Sequence, residues 1–216
     1  MEAQQAVSST IDHSEIPIRL FKSDFLEFFT HIHPAVVVII WLPVIIYSFV
    51  RGILDLPAGA SAVWIAVGFV TGIFFWTLTE YLLHRFVFHF HPRGAVQEKI
   101  FFLIHGVHHA QPQVKTRLVM PPVVSIPLAA LFYGLFQLIL GGLLGASYWV
   151  GPVFSGFIAG YLFYDMTHYA THHLPMRSGI WKSLKRHHMR HHYKTPDARF
   201  GVSSPLWDYV FNTDGN

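Results

Sequence analysis

Histidine is the residue in this sequence best placed to do chemistry: sixteen copies stand among 216 residues, against fifteen lysines and arginines together. Four short groups hold most of them: HRFVFH (84–89), HGVHH (105–109), HYATHH (168–173) and HMRHH (188–192). An α-helix turns about 100° per residue, so positions i, i+3 and i+4 share a face. The HxxHH spacing therefore aims three imidazoles toward one point at His105, His108 and His109, and again at His188, His191 and His192. His168 and His172 form an i, i+4 pair. His84 and His89 are five apart, about 140° around a helix. They either flank a break in the helix or serve different ions. Imidazoles grouped in this way are expected to bind metal. Ten nitrogen ligands exceed the capacity of any single first-row ion, so two ions are expected.

Imidazole suits zinc, copper, iron and nickel alike. No HExxH motif is present, which disfavours a single-zinc hydrolase with a glutamate base. The absence of cysteine excludes thiolate sites and disulfides. A nitrogen-rich pair of ions beside lipid fits iron that activates O₂ against an unreactive C–H bond, because no side chain is oxidising enough to break one. Glu80 and Asp165 lie one turn before His84 and His168. Two readings stand for them: acceptors of N–H bonds from ligating imidazoles, or helix-end caps.

The elements that must position these residues are greasy. The chain is 52% hydrophobic and only 12% charged, with a mean hydropathy of +0.40; a soluble domain carries about a quarter charged residues. Four apolar stretches, 35–54, 60–83, 118–140 and 143–164, are each long enough to cross a bilayer core, which takes about 20 residues of helix. The short connections 51–59 and Gly141-Gly142 pair them as two hairpins. Of the fifteen lysines and arginines only Arg51 lies in those connections. The rest fall, with every histidine, in 1–34, 84–117 and 165–216, which positive charge marks as the cytosolic side. The expected fold is an all-α integral membrane protein: four transmembrane helices in two hairpins, with a helical cytosolic cap from 84–117 and 165–216 carrying a dimetal site. Residues 1–34 are expected to form a polar tail with a helix in RLFKSDFLEFF (19–29), interfacial or packed on the cytosolic side, and 35–216 the single remaining domain. The N-terminus lacks a signal-peptide pattern. The modest charge of +3 beside lipid-type composition makes nucleic acid an unsuited partner. Termini and histidines are expected on the cytosolic face, of the endoplasmic reticulum in a eukaryote or of the inner membrane in a bacterium.

HRFVFH, HGVHHAQPQVKTRLVMPP, YDMTHYATHH, HHMRHHYK and FGVSSPLWDYVF follow one another from residue 84 to 211. Together they resemble the fatty acid 2-hydroxylases of the membrane fatty acid hydroxylase and sterol desaturase superfamily, from about residue 20 onward. The histidine pattern indicates only the superfamily; RLVMPP and FGVSSPLWD are more specific. The resemblance implies an enzyme that inserts one oxygen atom of O₂ at C2 of a long acyl chain, commonly the N-acyl chain of a sphingolipid. It implies two histidine-bound iron ions, which zinc can replace during purification. Carried over by motif, the ligands are His84, His89, His105, His108, His109, His168, His172, His188, His191 and His192. His173 and His187 are extra neighbours, and His13, His31, His33 and His91 fall outside the motifs. Some members carry an N-terminal cytochrome b5 domain with a His-Pro-Gly-Gly motif. Only about thirty residues precede the first span here, and His91-Pro92-Arg93-Gly94 lacks the second glycine. The resemblance is therefore to the shorter members, which take electrons from a separate cytochrome b5 or another donor.

Lys182, Lys185 and Arg186 suit an acidic donor or anionic headgroups equally. Tyr164, Tyr169 and Arg117 are candidates for anchoring the substrate's polar head. Histidines at the span ends place the chemistry at the membrane boundary, which favours the carbon next to an acyl carbonyl. A sterol- or carotenoid-type oxidase on the same scaffold is the main alternative. A metal transporter or store fits less well, because transport sites lie near the bilayer midplane.

Overall fold

The computed structural model describes residues 11–215, and among them every regular element is helical. After a short α1 (Asp24–Phe28), α2 (Pro34–Leu54) begins with Pro34 in the first turn, where its missing N–H costs nothing. His33 caps it by accepting the Ala35 N–H. Helix α3 (Val63–Leu82) runs straight into a π-helical turn, Leu83–Phe88. Helix α6 (Pro122–Phe136) does the same into Gln137–Leu143, and α7 (Val150–His173) follows. Three stretches, Pro34–Leu54, Val63–Phe88 and Lys115–Leu143, are long and apolar enough to cross a membrane. This is a membrane protein.

The fourth expected span differs. Gly141 and Gly142 stay inside the π-helical turn instead of connecting two helices; the chain reverses at Gly145, which adopts a left-handed φ of 64°. Helix α7 thus begins at Val150 and continues through the histidines to His173. It falls short of the apolarity of the other three because lipid meets little of it: sixteen of its 24 residues are buried. The hairpin expectation also changes. Helices α2 and α3 touch each other little, and both pack along α7, which α6 covers from another side.

Membrane helices gain little from hydrophobicity against lipid, so close packing must hold them together. Small residues provide it. A Cβ on Gly156 would strike the Phe69 backbone, and one on Gly72 would strike the backbone of Val153 and Phe157. Backbone therefore lies against backbone along the α3–α7 seam. Trp76, Phe157 and Tyr161 fill the space beyond it with edge-on ring contacts.

At one end of the bundle sits a polar cap: α4 (Ala95–Phe101), a π-helical turn Phe102–Gly106, α5 (Val107–Ala110), α8 (Gly179–Tyr193) and α9 (Leu206–Val210). The N-terminal segment straps across it. Gln111 accepts the Ile18 N–H and donates to Asp12.

Candidate metal centre

The ten histidines assemble into two clusters of five. His84, His89, His105, His109 and His191 form the first; His108, His168, His172, His188 and His192 form the second. Within each cluster the five ligand nitrogens lie within 4.8 Å of one another. Stacking of His109 on His192, with ring centroids 4.2 Å apart, sets the clusters side by side.

The two HxxHH triads do not converge on one point each, as their spacing predicts. His105 and His109 serve the first cluster while His108 serves the second; His188 and His192 serve the second while His191 serves the first. Relative to residue i, position i+4 lies about 40° to one side and i+3 about 60° to the other. With clusters on both sides of a helix, each triad splits. His84 and His89 share one cluster because the helix loosens between them. The His89 N–H reaches the His84 carbonyl at 3.0 Å, a π-type i→i+5 bond, and the ring centroids come within 5.0 Å. His105 also stands in a π-helical turn.

The donor chemistry fits metal. Nε2 atoms face each other at 3.1 Å for His84–His105 and His105–His109, and at 3.0 Å for His89–His191. In the second cluster they face each other at 2.9 Å for His108–His168 and His172–His188, and 3.0 Å for His108–His192. Two nitrogens at right angles on one ion, each about 2.1 Å away, stand about 3.0 Å apart. Burial, then neighbouring imidazoles, holds His105, His108, His109, His188, His191 and His192 well below the ordinary histidine range. At pH 7 these rings are neutral, with lone pairs free for an ion.

Beside the clusters is a cavity of about 540 Å³ whose wall is apolar except at a few points. His105, His108 and His168 line it, so both clusters reach it. Leu83, Val87 and Phe88 close one side, Leu118–Pro121 and Leu128 another, and Leu20, Phe21, Leu26 and Phe29 a third. Tyr164, stacked on His168, and Arg117 also line it; Tyr169 does not, packing instead on His173.

The family model described as fatty acid hydroxylase matches residues 69–213, which contain all ten clustered histidines. The chain belongs to the fatty acid hydroxylase family. It is 38% identical over 195 residues to the dihydroceramide fatty acyl 2-hydroxylase FAH1 of Arabidopsis thaliana, covering 90% of this chain and 79% of the plant protein. It is 39% identical over 215 residues to the fatty acid 2-hydroxylase of Homo sapiens, covering 91% of this chain and 56% of the human protein. The chain thus spans about half the length of that relative. A solved structure of full-length Scs7p, with only its hydroxylase domain visible, superimposes with a TM-score of 0.80 at 32% identity. That match covers 97% of this chain and 92% of the other.

Within this hydroxylase-family frame, Glu80 and Asp165 play neither role expected of them. Among the described residues neither bonds an imidazole or caps its own helix. Glu80 Oε1 accepts the backbone N–H groups of Val202 (2.7 Å) and Ser203 (2.8 Å), and Oε2 accepts the Ser203 hydroxyl. Asp165 accepts the Met120 N–H at 3.1 Å, bracing the segment that walls the cavity. The imidazoles of the first cluster are oriented by main chain instead. His84 Nδ1 lies 2.5 Å from the Phe200 carbonyl and His191 Nδ1 lies 2.7 Å from that of Ala198.

Sequence reasoning missed Asp208, which is fully buried and gathers this tail. It accepts the Phe200 and Gly201 N–H groups, each at 2.8 Å, and meets His187 Nε2 at 3.0 Å. Its signal in the sequence is FGVSSPLWD, which ends on this aspartate. His187 therefore belongs to neither cluster and supports the tail. Also missed was Glu27, which accepts N–H bonds from Leu20 and Phe21 and pairs with Arg117 at 2.7 Å. That pin holds segment 20–30 as a cavity wall.

Proposed function

We propose that this chain is an O₂-dependent di-iron hydroxylase that places a hydroxyl on C2 of a long acyl chain, with the N-acyl chain of ceramide as its substrate. One observation carries the reading: imidazoles from both clusters meet a largely apolar cavity at the end of a membrane bundle. Its volume falls within the range of small-molecule sites, about 300–1,000 Å³. The plant relative is a dihydroceramide fatty acyl 2-hydroxylase and the human one a fatty acid 2-hydroxylase, which supports the reaction class.

The ten clustered histidines would hold two iron ions, which supply the oxidising power against a C–H bond, using O₂ and electrons from a separate donor such as cytochrome b5. Zinc can occupy the same imidazoles in purified protein. Leu118, Val119, Leu128 and their neighbours take the methylene chain and exclude water from the reacting end. Arg117 and Tyr164 anchor the carbonyl end, which sets C2, the next carbon, opposite His108 and His168. The Glu80 and Asp208 contacts keep the tail carbonyls on the imidazoles, so the donor atoms are positioned before substrate arrives.

The wider arrangement belongs to the same proposal. Helix α7 serves as a fourth span, 35–216 is the hydroxylase domain behind a tail over 1–34, and cap and termini are cytosolic. The membrane is the endoplasmic reticulum in a eukaryote and the inner membrane in a bacterium. Sphingolipid mass spectrometry of cells producing the wild type or His108→Ala, with a working donor, tests the reading. Acyl chains gaining one oxygen at C2 are expected with the wild type alone; their absence with the wild type overturns it.

A further inference from the structure

One face of the cap is strongly charged and has no task in the reaction. Lys182, Arg186, Arg190 and Lys194 recur every four residues along α8 and its C-terminal end, and all four are exposed. Arg186 and Arg190 lie about 160° around the helix from His188, on the side opposite the imidazoles. No aspartate or glutamate occurs in Gly179–Tyr193, and among the described residues none of the four cations makes a salt bridge. Lys185, singled out with Lys182 and Arg186 from the sequence, stands off this face and donates to the Leu174 carbonyl.

The stripe also has a direction. His188 faces His172 at 2.9 Å and His191 packs on His84 with ring centroids 4.7 Å apart. The clusters therefore lie between α8 and the bundle-side ends of α7 and α3. The face of α8 that carries Arg186 and Arg190 is turned away from these rings. A helix with its side chains is about 10–12 Å across, so anything seated there stands about one helix diameter from both clusters.

We propose that the outer face of α8 is the docking surface for an acidic one-electron carrier protein that reduces the metal centre. The inference rests on the hydroxylase reading. Converting C–H to C–O–H with O₂ consumes two electrons and two protons and releases one water, and the electrons must come from outside the chain. A carrier delivers them singly, in successive encounters. Carboxylates around its redox group would pair with the stripe, and opposite charge speeds and orients such encounters while salt screens them. Anionic headgroups would satisfy the same cations, but only Lys182 stands next to a contact with a span, that of Trp181 with Phe163 of α7, and Arg186 and Arg190 follow one and two turns further along α8.

The test uses the full chain with metal bound, in nanodiscs of neutral phosphatidylcholine, titrated with the soluble haem domain of cytochrome b5. The wild type should bind, and more weakly as salt rises. Arg186→Glu with Arg190→Glu should weaken binding about tenfold or more. Metal content, and hydroxylation driven by a small-molecule reductant, should stay at wild-type levels. Unchanged affinity in the double variant overturns the proposal, as does a wild type that does not bind the haem domain. It also fails if the substitutions abolish only flotation with phosphatidylserine vesicles, which would make the stripe a lipid contact. A wild type inactive with every reductant would overturn the hydroxylase reading instead, while the binding titration still decides the docking surface.

Discussion

The two imidazole clusters contain the same number of the same ligand, yet different parts of the chain hold them in place. In the second cluster, His168 with His172 and His188 with His192 are i, i+4 pairs on α7 and α8, so two helices fix four of its five rings. Nδ1 of His108, His172, His188 and His192 has no hydrogen-bond partner among the described residues. The first cluster takes His84 and His105 from π-helical turns and His89 from just beyond one. It relies on tail carbonyls at Phe200 and Ala198 to orient His84 and His191. Where helix geometry already aims the rings, little more is required. Where the helix is loosened to bring His84 and His89 together, a separate brace reaches over from the C-terminal segment.

The comparison can be broken most severely at a ligand. His188→Ala removes one ring of a helix-fixed pair and should lower metal content and hydroxylation together, by more than about a hundredfold in activity. Metal analysis beside product measurement checks it. Glu80→Ala should separate the clusters. It leaves the buried Val202 N–H and the part-buried Ser203 N–H unpaired, at about 1–3 kcal/mol for the Val202 group. Through the tail it should weaken metal binding at the first cluster about 10–100-fold. Equal loss from both clusters, read by metal titration, would show that the brace serves the whole centre.

A smaller effect comes from pH. Cap imidazoles such as His108 and His188 bind protons less readily folded than their ordinary value of 6.5 allows. The folded chain therefore holds fewer protons than the unfolded one, and stability is lost as pH falls below that value. Metal-stripped protein should melt at a lower temperature at about pH 5.5 than at about pH 7.5. The smallest effect is expected at His187. His187→Ala should keep metal and activity while costing about 1 kcal/mol through the lost Asp208 contact, measured by denaturation. Loss of metal in that variant would erase the distinction between ligand and brace.

Much of this was legible in advance at particular residues. The ten clustered histidines are the ten that the motifs single out; eight of them follow the i, i+3 and i+4 spacing of a helix, which is local geometry, and His84 with His89 does not. The apolar stretches of α2, α3 and α6 were readable because lipid exposure demands hydropathy along a whole segment. Helix α7 was less so: a helix sheltered by its neighbours is free to carry Gly156, Ser155, Tyr161 and Asp165. The roles of Glu80 and Asp165 were not readable either. Their partners, Val202, Ser203 and Met120, are backbone groups distant in sequence, and main-chain N–H groups leave no mark on a residue's identity.

The sequence by itself determined which imidazoles are available to cluster, the absence of thiolates, the membrane setting and the family resemblance, since these depend on residue type and on spacing within one helix. Only the tertiary structure decided how the donors divide. Each HxxHH triad contributes to both clusters, and His84 joins His89 across a π-helical turn. The tail from Ala198 to Asp208 folds back to orient two of the rings. The physical reason is that a helix fixes the angle between its own side chains, whereas which cluster each ring joins depends on what packs on either side.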